Sequence, residues 1–106
     1  MQNVRYCYVD VPRRKNPVVV AYKAEEANSL IVVQYGVSFC NEKDRFNRRL
    51  GREIAEGRLL RRPLTRFIEF GAEQKFNPTI VNSIREHIQQ AIGARTQISN
   101  IFGVSK

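Results

Sequence analysis

Histidine and cysteine are almost missing from this chain, and each shortage removes a class of protein. One histidine, His87, with two cysteines, Cys7 and Cys40, is too few for a recognisable zinc set. Both cysteines stand beside aromatic residues in predicted strands and read as buried free thiols of a cytosolic protein, not as a disulfide. His87 lies between Glu86 and Ile88, off the apolar stripe of its helix and without a second histidine or an acid-base partner, which argues against catalysis. The longest mostly apolar run, Ser29 to Cys40, is broken by Gln34 and Gly36 and is too short to span a bilayer. Met1-Gln2-Asn3 leads straight into an alternating pattern, so no signal peptide is expected. A Walker loop, a GxGxxG turn, a GxS elbow, an HxE with CxxC, and a carboxylate pair placed for acid-base work are all absent. No enzyme, metal or cofactor is therefore expected.

What the chain has is positive charge. Its 106 residues carry a formal charge of +8 with 42% hydrophobic residues, enough for a single domain spanning 1–106 with one core, to which oligomerisation would add burial. No repeat, low-complexity segment or second domain is visible. The basic balance points to a polyanionic partner: nucleic acid, an acidic protein surface or a phosphorylated small molecule.

Val4 to Val11 alternates, with Val4, Tyr6 and Tyr8 on one side and Cys7, Val9 and Val11 on the other, predicting a strand. Pro12 to Pro17 follows as a connection, either a solvated hairpin loop or a phosphate-contacting one. Val18 to Lys23 is β-branched and apolar on both faces, as in a strand paired to the first and covered by a helix or a partner subunit. Glu25 to Ser29 reads as a turn. Leu30 to Phe39 is the clearest strand and should be central, with Ile31, Val33, Tyr35, Val37 and Phe39 on one face. Gly36 marks a bulge or the close approach of another backbone or ligand.

After Cys40 the period becomes helical. Asn41 is the expected N-cap, Asp44 faces the helix N-terminus, Phe46, Leu50 and Ile54 form the stripe expected on the sheet, and Gly57 is the expected stop. Asn47, Gly51 and Ala55 form a parallel row of small residues that would admit a neighbouring element or ligand. Leu64 to Phe70 alternates as a fourth strand with Phe67 on its polar face, suited to stacking on a base or to a dimer contact. Asn77 and Pro78 are the expected cap and first residue of a second helix, whose stripe is Ile80, Ile84, Ile88 and Ile92 and whose end is Gly93. Residues 94–106 read as a short strand or an arm docking on a neighbouring subunit.

The segment 37–58 and its continuation concentrate the charge. Nine cations against three acids fall between Lys43 and Arg66, half of the chain's 18 Lys and Arg. Arg45, Arg48, Arg49 and Arg52 share one side of the expected helix, and guanidinium forks both bind phosphate bidentately and stack on rings. Surface pairs such as Arg49 with Glu53 and Arg52 with Glu56, at about 0.3–0.5 kcal/mol each, do not account for so many arginines. No RNP-like aromatic pattern, GXXG loop or helix-turn-helix spacing is present, though a basic helix beside a sheet can contact phosphates without them.

Tyr35 to Leu59, YGVSFCNEKDRFNRRLGREIAEGRL, with its strand ending at Ser-Phe-Cys followed by Lys-Asp-x-Phe and Gly-Arg-x-Ile-Ala-x-Gly-Arg, resembles a pattern of small phage proteins. Among these the chain is similar in size and layout to the phage Thoeris anti-defence sponges, which sequester cyclic ADP-ribose signals made by bacterial TIR domains. The resemblance covers about a quarter of the chain. It implies an α+β fold, a small antiparallel sheet packed against two main helices, and a homo-oligomer, dimer or hexamer, acting in the cytoplasm of the infected bacterial host without any membrane partner. It further implies capture, without cleavage, of a cyclic nucleotide, of cyclic ADP-ribose type or extending to cyclic oligonucleotides, between protomers. The residues implied as ligand contacts are Arg49, Arg52 and Arg58 within the motif and Phe67, Asn77 and Arg95 beyond it, with Phe70, Asn82 and Arg85 as neighbouring alternatives. The alternative class is a basic phage accessory protein binding DNA or RNA, or an inhibitor docking on an acidic host protein.

Overall fold

A computed structural model describes residues 3–11, 15–40, 45–69, 71 and 75–93. The expected Arg13-Arg14 loop tip, the Asn41 cap with Asp44, Phe70, and the 94–106 arm lie outside the described residues. The element order is β1 (Arg5–Val9), β2 (Val18–Ala27), β3 (Leu30–Ser38), α1 (Arg48–Arg61), β4 (Leu64–Glu69) and α2 (Phe76–Gly93). The strands form one antiparallel sheet in the order β1-β2-β3-β4, the small α+β architecture expected.

Strand alternation decides what each sheet face holds. Val9, Val18, Val20, Tyr22, Ile31, Val33, Tyr35 and Val37 point to one face and pack with Ile80, Ile84, Ile88 and Ala91 of α2. The opposite face presents Val19 and Ala21, with Val4 just ahead of β1 and Tyr6 and Tyr8 on it, to Ala55 and Leu59 of α1. The two helices thus sit on opposite sides of the sheet. Burying an aliphatic side chain contributes about 1.5–3 kcal/mol, so the three fully buried isoleucines of α2 make its face the stronger anchor.

The β2–β3 connection is tighter than expected. Instead of turning from Glu25, β2 continues to Ala27, which pairs with Leu30 around a two-residue turn. Asn28 (φ 52°) and Ser29 (φ 66°) both occupy the left-handed region, as a type I′ hairpin requires. The first strand is shorter than Val4 to Val11, though its expected face assignments hold and Val11 is still buried beyond its end.

Helix α1 departs from expectation in three ways. It begins at Arg48, capped by Asn47, whose side chain accepts the Leu50 N–H at 3.0 Å, and not after Asn41. It runs through Gly57 to Arg61 because Leu59, one position further along the row, is buried, and burial outweighs the roughly 1 kcal/mol cost of an interior glycine. Its sheet-facing row is Gly51, Ala55 and Leu59, while Leu50 and Ile54 flank the contact at 51% and 36% exposure. The small-residue row wins because the sheet beneath it also lacks bulk. A Cβ built on Gly36 would lie 2.4 Å from the Ala55 carbonyl oxygen and 2.4 Å from the Leu59 nitrogen, so helix and strand backbones touch there. Gly36 is therefore the close approach of another backbone. Arg58 and Arg61 in the last turn complement the helix dipole, and Pro63 follows the Arg62 cap.

In α2, Asn77 is not the cap. Thr79 N–H donates to the Lys75 carbonyl at 3.1 Å, so the helix starts one residue before Asn77 and Pro78 sits within the first turn, where its missing N–H costs nothing. His87 does not project freely: Tyr35 bonds its Nδ1, the rings meet edge-on at 5.9 Å, and burial together with the Arg66 charge lowers its pKa. Tyr35 is itself pushed up to about 12 by burial. Cys7 and Cys40 are half-buried and not joined in a disulfide, and burial drives the Cys7 thiol to about 11. Among the described residues no helix is long and apolar enough to cross a membrane, and no group of three or more His, Cys, Asp or Glu is placed to hold a metal.

Candidate anion-binding face

Close packing of α1 on the sheet fixes where its arginines go. With Gly51, Ala55 and Leu59 turned inward, Arg48 and Arg52, four residues apart, overhang β1, whose Tyr6 and Tyr8 point to the same side. The Arg48 guanidinium carbon stands 4.7 Å from the Tyr8 ring centroid, and that of Arg52 stands 5.2 Å from Tyr6 and 5.7 Å from Tyr8. Arg52 Nε also donates to the Tyr8 hydroxyl at 2.5 Å. Two guanidiniums are thereby laid on two rings, each contact worth about 0.5–1 kcal/mol at an exposed site.

The carboxylate expected to neutralise Arg52 is engaged elsewhere. Glu56 accepts a 3.1 Å hydrogen bond from the Tyr6 hydroxyl, and burial with that carboxylate raises the Tyr6 pKa. Arg48 and Arg52 remain exposed over the rings, and although the Tyr8 hydroxyl takes Arg52 Nε, the terminal nitrogens of both guanidiniums are left to meet an anion. Arg45, ahead of the helix, instead lines a groove of about 230 Å³ whose walls are Phe39, Phe46, Leu50 and Ile54.

The residues implied by the family resemblance separate. Arg52 belongs to the tyrosine-backed face. Arg49 points outward, 91% exposed, and pairs with Glu53 at 3.4 Å, a contact of surface strength. Arg58 turns inward: its guanidinium donates to the Val37 carbonyl at 2.8 Å, and burial lowers its pKa. Phe67 is 69% exposed on β4, with two strands between it and β1. Asn77 lies on the opposite sheet face, in the first turn of α2, and Arg95 is outside the described residues. Among the alternatives, Arg85 donates to Asn82 Oδ1 at 3.1 Å on α2. One chain does not bring Arg52, Phe67 and Asn77 together.

Tyr6 and Tyr8 were not singled out by the sequence as contacts, although their shared parity on β1 with the arginines of the next basic helix is the signal that pairs them. Comparison with known proteins adds nothing to this geometry: no family model, no curated protein and no solved structure matches the chain.

Proposed function

We propose that this protein is a non-enzymatic oligomer that captures a cyclic nucleotide signal, of the cyclic ADP-ribose type, in the cytoplasm of a phage-infected bacterium and so disarms the defence that uses it. The observation that carries the reading is the pair of guanidiniums, Arg48 and Arg52, seated over Tyr8 and Tyr6, with no carboxylate among the described residues ion-paired to Arg52. A pyrophosphate needs two such forks, and side chains already ordered on rings lose less entropy on binding. The resemblance of Tyr35 to Leu59 to the Thoeris sponges supplies the ligand class. Because Phe67 and Asn77 lie away from Arg52 in one chain, a second protomer is needed to bring either of them to the arginine face.

A second reading, binding of DNA or RNA phosphates, is favoured by the openness of the ridge formed by Arg48, Arg49 and Arg52, all exposed on one helix. Calorimetric titration with cyclic ADP-ribose isomers and with a short duplex, at two salt concentrations, separates the two. A pyrophosphate pocket predicts saturable binding of the small ligand that Arg52→Ala abolishes and that salt changes little. Duplex binding that falls steeply with salt, without uptake of the cyclic ligands, would displace the first reading.

A further inference from the structure

On the face of the sheet away from the arginine ridge, a cleft of about 250 Å³ opens between the β1–β2 hairpin and the first turn of α2, lined by Asn3, Arg5, Tyr22, Phe76, Asn77 and Ile80 among others. Its floor is fixed: Ile80 is fully buried and Tyr22 is 4% exposed. The Tyr22 hydroxyl has no hydrogen-bond partner among the described residues, although a buried hydroxyl normally finds one. Nor is that oxygen sealed in the core, where the orphaned side-chain atoms are Asn16 Nδ2 and Arg66 Nε. It therefore reaches solvent, and the opening that Tyr22 lines is this cleft.

Arg5 supplies the charge. It pairs across the hairpin with Tyr22, and its guanidinium is close enough to oppose the rise that burial and Cys7 impose on the Tyr22 pKa. Lys23 borders the cleft, but the alternation of β2 turns its side chain to the α1 face with Ala21, and the described lining residues include no Asp or Glu. Asn77, in the first turn of α2, brings its side-chain amide to the same mouth. Such a donor set, one fork, one hydroxyl and one side-chain amide, fits an anion with several oxygens better than a single carboxylate. The Phe76 ring and Ile80 give the remainder an apolar wall. Ligand pockets for drug-sized molecules run to roughly 300–1,000 Å³, so this smaller cleft takes a compact ligand and does not enclose a cyclic dinucleotide.

We propose that this cleft is a binding site for a small phosphomonoester, its phosphate held by Arg5 and the Tyr22 hydroxyl at the start of α2 and its organic part resting on Phe76. The site is separate from the arginine face and does not rest on the function proposed for it. Its test is a nuclear magnetic resonance titration of the full chain with ribose 5-phosphate and, in a second arm, inorganic phosphate, at matched ionic strength. Saturable shifts of the Phe76 and Asn77 amide signals are expected from both, with ribose 5-phosphate the tighter. Tyr22→Phe, which keeps the buried ring and should leave the melting temperature unchanged, is expected to weaken binding about tenfold, and Arg5→Gln to remove it within the accessible concentration range. Absence of saturable shifts at Phe76 and Asn77, equal affinity for the two probes, or retained affinity in both variants overturns the proposal.

Discussion

Helix α1 is held against the sheet by a contact between backbones, and three glycines test this at atomic resolution. At Gly36 a new Cβ would meet the Ala55 oxygen and the Leu59 nitrogen, each at 2.4 Å, about 1 Å short of an ordinary 3.4 Å contact. Both obstacles are main-chain atoms of a helix interior, so no side-chain rotation relieves them. Gly36→Ala must either lift α1 by roughly that ångström or bend β3. Overpacking of this kind costs typically 1–3 kcal/mol, and lifting α1 would also loosen Ala55 and Leu59, now buried. The expected loss is at the upper end, about 3 kcal/mol, or a fall in melting temperature of more than about 10 °C for a domain of this size. At Gly51 the obstacle is a side chain, Val19 Cγ2 at 2.8 Å, and the better helix propensity of alanine offsets part of the clash. At Gly57 nothing lies within 4 Å, so Gly57→Ala should stabilise by about 0.5–1 kcal/mol. Thermal unfolding followed by circular dichroism gives the order Gly36→Ala least stable, then Gly51→Ala, then wild type, then Gly57→Ala. A Gly36→Ala variant as stable as wild type would refute the close packing and, with it, the placement of Arg48 and Arg52 over Tyr8 and Tyr6.

Arg58→Ala should cost about 1.5–3 kcal/mol in denaturant unfolding, because it leaves the Val37 carbonyl without its charged donor; unchanged stability would return Arg58 to the list of free ligand arginines. Ser29→Gly should gain up to about 1 kcal/mol by relieving a non-glycine left-handed residue in a type I′ turn, read from the urea midpoint, and a loss would mean the turn is of another kind. The His87 pKa is lowered in the folded chain, so the unfolded state takes up its proton first as pH falls; the stability this gives is present above about 6.5 and is lost as pH falls through the folded value. Melting temperature should therefore drop more between pH 7 and pH 5 in wild type than in His87→Leu, and parallel profiles would contradict the burial of the neutral ring against Tyr35.

Period-two alternation in β1, β3 and β4, and the isoleucine spacing of α2, were legible because each element turns one face of large side chains inward, fully buried in β3 and α2 and half-buried in β4. Face assignments within β1 survive in the structure for the same reason. Helix α1 was misread because two rows compete: Phe46, Leu50 and Ile54 are the more hydrophobic, but Gly51, Ala55 and Leu59 match a sheet surface whose smallness at Gly36 and Ala21 is a tertiary fact. The cap moved to Asn47 with that choice, since Asn41 and Asn47 are equivalent as residue types and packing selects between them. Concentrated charge was visible in the sequence, but the direction of each arginine was not. Arg49, Arg52 and Arg58 lie within one and a half or so heptads of each other, yet one goes to a glutamate, one to tyrosines and one to a backbone carbonyl, because a helix turns its side chains by about 100° per residue.

Capture itself is the most direct measurement. Purified protein is mixed with cyclic ADP-ribose isomers, washed free of unbound ligand and heat-denatured, and the supernatant is analysed for nucleotide, with Arg52→Ala in parallel. Wild type is expected to release intact, unmodified cyclic nucleotide, and Arg52→Ala, still folded, to release little. Release of a hydrolysed product, or no nucleotide from wild type, would contradict it.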